Sequence, residues 1–120
     1  MAGVNKCADL GNGIKINYVV EGTGSHTTLL LPGALGTART DFTPQIEHLN
    51  SEGKLKLVVW DPPGYGASRP PPRTWPKSPN HFYVRDADVA VDFMDTIDEG
   101  TFSVLGWSDG AITALIIAGR

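Results

Sequence analysis

The sequence predicts an α/β fold: a mostly parallel sheet, opened by an antiparallel hairpin, with helices on both faces. Three observations carry that expectation. Strand-like runs alternate with helix-like runs after the first third of the chain. Two of the strand-like runs, at residues 28–31 and 55–60, are apolar without alternation, as strands covered on both faces are. An Asn-Gly pair near the start joins two short strands by a tight turn. At 120 residues the chain is one domain at most.

The elements follow in order. A first strand covers residues 6–10 and a second residues 14–21, joined by Gly11-Asn12-Gly13, because Asn-Gly accepts positive φ at both central positions. In the second strand Ile14, Ile16 and Tyr18 alternate with Lys15, Asn17 and Val19, and Gly22-Thr23-Gly24-Ser25 closes it. Thr28-Leu29-Leu30-Leu31-Pro32 is the third strand, ending in Gly33. A helix is expected over residues 40–50, with Phe42, Ile46 and Leu49 on one stripe and Gly53 as a stop. Leu55-Lys56-Leu57-Val58-Val59-Trp60 is the next strand, and Asp61-Pro62-Pro63-Gly64-Tyr65-Gly66 is a loop.

Residues 69–80 hold Pro70, Pro71, Pro72, Pro76 and Pro79. Structured patterns flank them on both sides, which favours a stiff loop over a ligand for a proline-recognising domain. A helix over residues 83–98 places Val84, Ala87, Val91 and Met94 at helical spacing. Asp88, Asp92, Asp95 and Glu99 make a second stripe, read as a solvated face, since cation sites of that type use a loop with a glycine turn. Thr101-Phe102-Ser103-Val104-Leu105 is the last strand, at an open sheet edge, and a helix starts at Asp109.

Composition narrows the functional classes. With 41% hydrophobic and 19% charged residues the chain is an ordinary globular sequence. A net charge of −3 with scattered acids offers no basic stripe for nucleic acid and no attraction to an anionic membrane. The longest apolar stretch, residues 111–118, is interrupted by Thr113 and falls short of the roughly 18 residues a membrane span needs. The first ten residues resemble neither a secretory signal nor an arginine-rich presequence, so the cytoplasm is the expected compartment. The single cysteine, Cys7, belongs in or beside the first strand and has no cysteine to pair with. His26 (in a turn), His48 (on the polar side of a helix) and His81 (in a loop) are too scattered for a metal site. No cofactor is expected: the glycines at 33 and 36 match neither a phosphate-binding nor a dinucleotide pattern.

The chemistry concentrates at Gly106-Trp107-Ser108-Asp109-Gly110. This Gly-x-Ser-x-Gly follows an apolar strand and opens an apolar helix, the context of a nucleophile elbow. The elbow is a strained turn that lifts the Ser108 hydroxyl clear of the sheet. Gly106 and Gly110 leave room where a Cβ would collide with neighbouring backbone. The helix start aims free N–H groups at the reacting centre, so the Asp109 backbone N–H can donate to an oxyanion. A second donor is expected from Leu31-Pro32-Gly33-Ala34-Leu35-Gly36, where either Ala34 or Leu35 is placed to serve.

Leu31-Pro32-Gly33, Trp60-Asp61-Pro62-Pro63-Gly64-Tyr65-Gly66-Ala67-Ser68-Arg69-Pro70 and Leu105-Gly106-Trp107-Ser108-Asp109-Gly110 together resemble the α/β-hydrolase superfamily. More narrowly, they are similar to its valacyclovir hydrolase (biphenyl hydrolase-like) group, from about Asn12 onward. The resemblance implies a sheet of about eight strands and hydrolysis of small-molecule esters of α-amino acids. Ser108 would be the nucleophile and the Asp109 side chain would hold the substrate ammonium. Relatives often carry arginine where this chain has Pro63, and some are mitochondrial.

A carboxylate beside the nucleophile opposes the charge that develops there, by roughly 3 kcal/mol at ~6 Å and an effective dielectric of ~20. A cationic substrate group would offset that repulsion. The other reading is that Asp109 merely complements the positive helix start. The family order is serine, acid, histidine, yet only twelve residues and no histidine follow Ser108. Residues 1–120 are therefore expected to be the N-terminal part of one domain, inactive alone. Carbon–carbon bond hydrolase or haloperoxidase-like chemistry is the alternative within the superfamily. A non-catalytic interaction module is the alternative outside it.

Overall fold

The structure, a computed structural model, describes residues 3–50, 52–75 and 81–119. Among the described residues, five strands form one sheet: β1 (Val4–Asp9), β2 (Lys15–Glu21), β3 (His26–Leu31), β4 (Leu55–Trp60) and β5 (Ser103–Gly106). Three helices accompany them: α1 (Ala38–His48), α2 (His81–Thr96) and α3 (Asp109–Ala118). The spatial order is β1-β2-β4-β3-β5. The first two pairings are antiparallel and the two made by β3 are parallel: the expected N-terminal hairpin is present, and the sheet is mixed, half its pairings parallel, because β2 pairs antiparallel with β4 as well as with β1. Each parallel crossover carries a helix, as the geometry of such connections requires. No helix among the described residues is long and apolar enough to cross a membrane.

The central strands are covered on both faces. Leu29, Leu31, Val58 and Trp60 point into one apolar cluster with residues of α2 and α3. Leu30, Leu57 and Val59 point into the other, against Ala38, Phe42 and Ile46 of α1. Strand alternation thus divides one continuous apolar run between two cores. Phe93 of α2 anchors the larger core, edge-on to Tyr18 at 5.0 Å and stacked on Trp60 at 5.9 Å.

Several local expectations change. The hairpin is wider than a two-residue turn: the Leu10 N–H bonds the Ile14 carbonyl at 3.0 Å, and the positive φ angles fall on Gly11 and Gly13 rather than Asn12. Asn12 instead accepts the Ile14 N–H on its side chain at 3.2 Å. In α1, Pro44 sits inside the helix and Phe42 leaves helical geometry two residues before it, a kink proline commonly causes. Phe42 and Ile46 are buried, but Leu49 is exposed.

The buried face of α2 is Asp86, Ala87, Val89, Ala90, Phe93 and Met94, whereas Val84 and Val91 of the expected stripe are exposed. The helix ends at Thr96 in a Schellman-type stop. Asp98 has φ 64° there, its N–H bonds the Asp95 carbonyl, and the Glu99 N–H reaches back to the Met94 carbonyl at 2.8 Å. Glu99 therefore leaves the expected solvated stripe and pairs with Lys56 and Thr27. His26 is the first residue of β3 rather than part of a turn, bonded to Ser103 at 2.8 Å. His81 opens α2 rather than lying in a loop. Cys7 is exposed on β1. Of the proline-rich segment, residues 76–80 lie outside the described residues.

Candidate active site

Ser108 joins β5 to α3 with φ 55° and ψ −119°, a left-handed conformation that is costly for any residue but glycine. The turn is held from both sides. The Trp107 N–H donates to the Leu31 carbonyl at 3.1 Å, the Gly110 N–H to the Trp107 carbonyl and the Ala111 N–H to the Ser108 carbonyl, both at 2.9 Å. The flanking glycines have steric reasons to be there. A Cβ on Gly106 would lie 2.3 Å from the Gly110 carbonyl oxygen. One on Gly110 would lie 2.0 Å from that of Leu31. Ser108 itself is exposed, and its side chain makes no capping bond to α3.

The loop after β3 lies against the serine: a Cβ on Gly33 would come 3.1 Å from the Ser108 Cβ. Gly33 to Gly36 form a turn closed by a 3.0 Å backbone bond, with Leu35 at φ 59°. Asp41, in the first turn of α1, pins this turn by accepting the Gly33 N–H at 2.8 Å. Its carboxylate occupies the space a Gly36 side chain would need. Ala34 lines a narrow cavity with Pro32, Gly33, Asp109 and Gly110, of about 10 Å³, room for roughly one water. Leu35 is not among the cavity's lining residues and is 78% exposed.

Asp109 has a partner that sequence reasoning missed. The Tyr83 hydroxyl donates to its Oδ1 at 2.8 Å. That bond, with burial and the Asp109 charge adding to it, raises the Tyr83 phenol above its ordinary value. Deeper in the same cavity Arg73 and Asp86 form a bidentate pair, 2.9 Å on each arm, with side chains only 7% and 8% exposed. Burial pushes the Asp86 carboxyl up, and the hydrogen bonds and charge of Arg73, joined by those of Arg85, oppose that. Arg73 also lies over the rings of Tyr65, Trp75 and Phe82 and donates to the Pro63 carbonyl at 2.9 Å. A guanidinium thus meets this loop at Pro63, delivered from ten residues further along the chain. The loop's own frame is Asp61, which accepts from Ala38 N, Ala67 N and Asn17 Nδ2.

No imidazole described here stands near Ser108. His26 opens β3, while Leu31, beside the elbow, closes it; at ~3.3 Å per residue the two are roughly 17 Å apart. His48 is the last residue of α1, the end remote from the Gly33–Gly36 turn. The His81 side chain lies outside the described residues. Among the described residues, no group of three His, Cys, Asp or Glu could hold a metal ion.

Comparison with known proteins bears on this arrangement. The profile of the alpha/beta hydrolase family matches residues 28–120. Serine hydrolase BPHL of mouse and of human are each 50% identical to the chain over 109 residues, 91% of it. The chain spans 36% of the length of each of these relatives. Among solved structures, ALR0039 from Nostoc sp PCC 7120 superposes with a TM-score of 0.80 at 27% identity, over 97% of this chain and 38% of that one. The 2-hydroxy-6-oxo-6-phenylhexa-2,4-dienoate hydrolase of Rhodococcus sp. strain RHA1 gives 0.80 at 22% identity, over 98% of this chain and 42% of its own, and shares the fold. With its strand order, its strained serine between β5 and α3 and a family profile covering most of its length, the chain belongs to the alpha/beta hydrolase family.

Proposed function

We propose that this chain carries the nucleophile and oxyanion half of a serine hydrolase of carboxylic esters, acting on esters of α-amino acids. The observation that supports it most is the exposed Ser108 at φ 55°, backed by the start of α3 and faced by the Gly33–Gly36 turn. Ser108 attacks the ester carbonyl and forms an acyl-enzyme that water then releases. The backbone N–H of Asp109 and one from the Gly33–Gly36 turn hold the oxyanion. Ala34 suits that second role better than Leu35, because it lines the cavity with Asp109.

The Asp109 side chain takes the substrate ammonium. Of the charged residues lining the cavity, Arg73 and Asp86 are held in their bidentate pair, with Arg85 also 3.6 Å from Asp86, while among the described residues Asp109 has no ion-pair partner. A serine needs a base oriented by an acid. We place both outside residues 1–120, which form the N-terminal part of one hydrolase domain.

The test is a chimaera in which this chain replaces the matching segment of human serine hydrolase BPHL, beside the isolated chain. The chimaera is expected to hydrolyse L-phenylalanine methyl ester at least about tenfold faster than methyl 3-phenylpropanoate, and Ser108→Ala abolishes both reactions. The isolated chain gives no turnover above background. Turnover that survives Ser108→Ala overturns the assignment of the nucleophile. Equal rates on the two esters overturn the amino-acid reading.

A further inference from the structure

We propose that Tyr83 is a positioning residue that sets selectivity for a cationic substrate group, by fixing the Asp109 carboxylate through Oδ1 and leaving Oδ2 for the ligand. The proposal rests on the reading of Asp109 given above and adds a second residue to it.

Three observations carry it. Tyr83 and Asp109 lie on different helices, α2 and α3, yet the phenol O–H meets Oδ1 at 2.8 Å. Among the described residues Oδ2 accepts no hydrogen bond, and the carboxylate is only partly exposed. That oxygen is open to solvent, and an ammonium group can take the place of water there with a charge-assisted hydrogen bond. Finally, the donor is itself held in place. Tyr83 packs on Phe82 with ring centroids 4.0 Å apart, and one turn further along α2 Asp86 is clamped by Arg73. The phenol is therefore pre-oriented, and Asp109 is spared the rotamer freedom an unheld aspartate would lose on binding. Because Tyr83 is neutral and donates, it orients the carboxylate without cancelling its charge, which a lysine at that position would do.

The experiment uses the 120-residue chain and two non-hydrolysable probes, L-phenylalaninamide and 3-phenylpropanamide, which differ only in the ammonium group. Binding is followed by NMR titration of the wild type, Tyr83→Phe and Asp109→Asn, and the tyrosine phenols are titrated separately without ligand. The wild type is expected to prefer the cationic probe about tenfold. Asp109→Asn removes the preference, and Tyr83→Phe cuts it by about threefold or more, the scale of one charge-assisted bond acting indirectly. In the ligand-free arm Asp109→Asn returns the Tyr83 phenol toward its ordinary value, which a merely structural contact elsewhere on α2 would not do.

A wild-type preference that Tyr83→Phe leaves unchanged overturns this proposal while the amine reading of Asp109 stands. Absence of any preference, or of binding, in the wild type overturns both. Should Tyr83→Phe unfold the chain, the phenol titration decides: a Tyr83 phenol indifferent to Asp109→Asn overturns the proposal.

Discussion

Gly110 faces the Leu31 carbonyl so closely that a Cβ there would stand 2.0 Å from the oxygen. That carbonyl also accepts the Trp107 N–H at 3.1 Å, so the end of β3 and the start of α3 are fastened at one atom. Gly110 is not among the residues of positive φ, and the cost of a side chain there is therefore steric rather than conformational. Gly110→Ala is expected to destabilise by more than about 3 kcal/mol, since backbone on both sides has to move. Gly13→Ala is the control: φ is 83° but nothing lies within 4 Å, so about 1 kcal/mol is expected. Urea denaturation of the two variants measures the difference, and equal losses would refute the steric account.

The Arg73–Asp86 pair sets up a different expectation. Both side chains are almost wholly buried and joined by two hydrogen bonds, while the buried Arg73 Nε has no hydrogen-bond partner. Removing Asp86 leaves the buried Arg73 charge without its carboxylate, at a cost of about 3–5 kcal/mol, whereas removing Arg73 leaves Asp86 with Arg85, 3.6 Å from its Oδ1. Asp86→Leu should lose about that much in thermal or urea unfolding, and Arg73→Met less, because Arg85 still faces the carboxylate. The double variant should recover most of the loss, because an apolar pair of similar volume has no charge to desolvate. Losses that simply add would show that the pair does not act as a unit.

These two sites also show what sequence can reveal. Leu29, Leu30 and Leu31 read as a doubly covered strand because period-two alternation sends an unbroken apolar run to both faces. The strained turn around Ser108 was legible because local steric rules tie Gly106 and Gly110 to it. The α2 stripe was out of phase. Val84 and Val91 share helical spacing with Ala87 and Met94, but the face that packs is centred on Ala90 and Phe93. With the phase corrected, Asp86 stands out as a carboxylate on a buried stripe, a signal that a cation must meet it. Tyr83 and Asp41 carry no such signal. Their roles depend on how α2 and the Gly33–Gly36 turn are brought to the sheet, a tertiary fact with no local period.

Glu99 gives the fold a defined response to acid. Burial alone would raise its carboxyl, but hydrogen bonds from Lys56 and Thr27, with the Lys56 charge, outweigh that and hold it below its ordinary value of 4.5. A carboxyl lowered in the folded state binds fewer protons than in the unfolded chain. Its stabilisation is therefore complete above the unfolded value and is lost as pH falls through the folded one. Urea midpoints are expected to decline between about pH 5 and pH 3. Glu99→Gln should flatten that part of the profile and cost about 1 kcal/mol at neutral pH. An unchanged slope below pH 5 in Glu99→Gln would assign the acid sensitivity elsewhere.

The last expectation concerns the β5 edge. Among the described residues β5 pairs only with β3, so one side of it is open, and Leu105, Trp107 and, on the helix that follows, Ile112 and Leu115 are exposed, Leu115 by 76%. An unpaired strand edge beside apolar side chains is a template for association. The chain is expected to self-associate at tens of micromolar, and Ile112→Lys with Leu115→Glu should suppress this in sedimentation velocity. The two positions are three apart on α3, so the new charges can also pair along the helix. Because both residues are exposed, stability should change by no more than about 0.5 kcal/mol each. Val4 lies on β1 at the opposite edge and is also exposed. Val4→Lys tests whether any edge would do: relief of association by this variant as well would mean that apolar exposure in general, rather than the β5–α3 face, drives it.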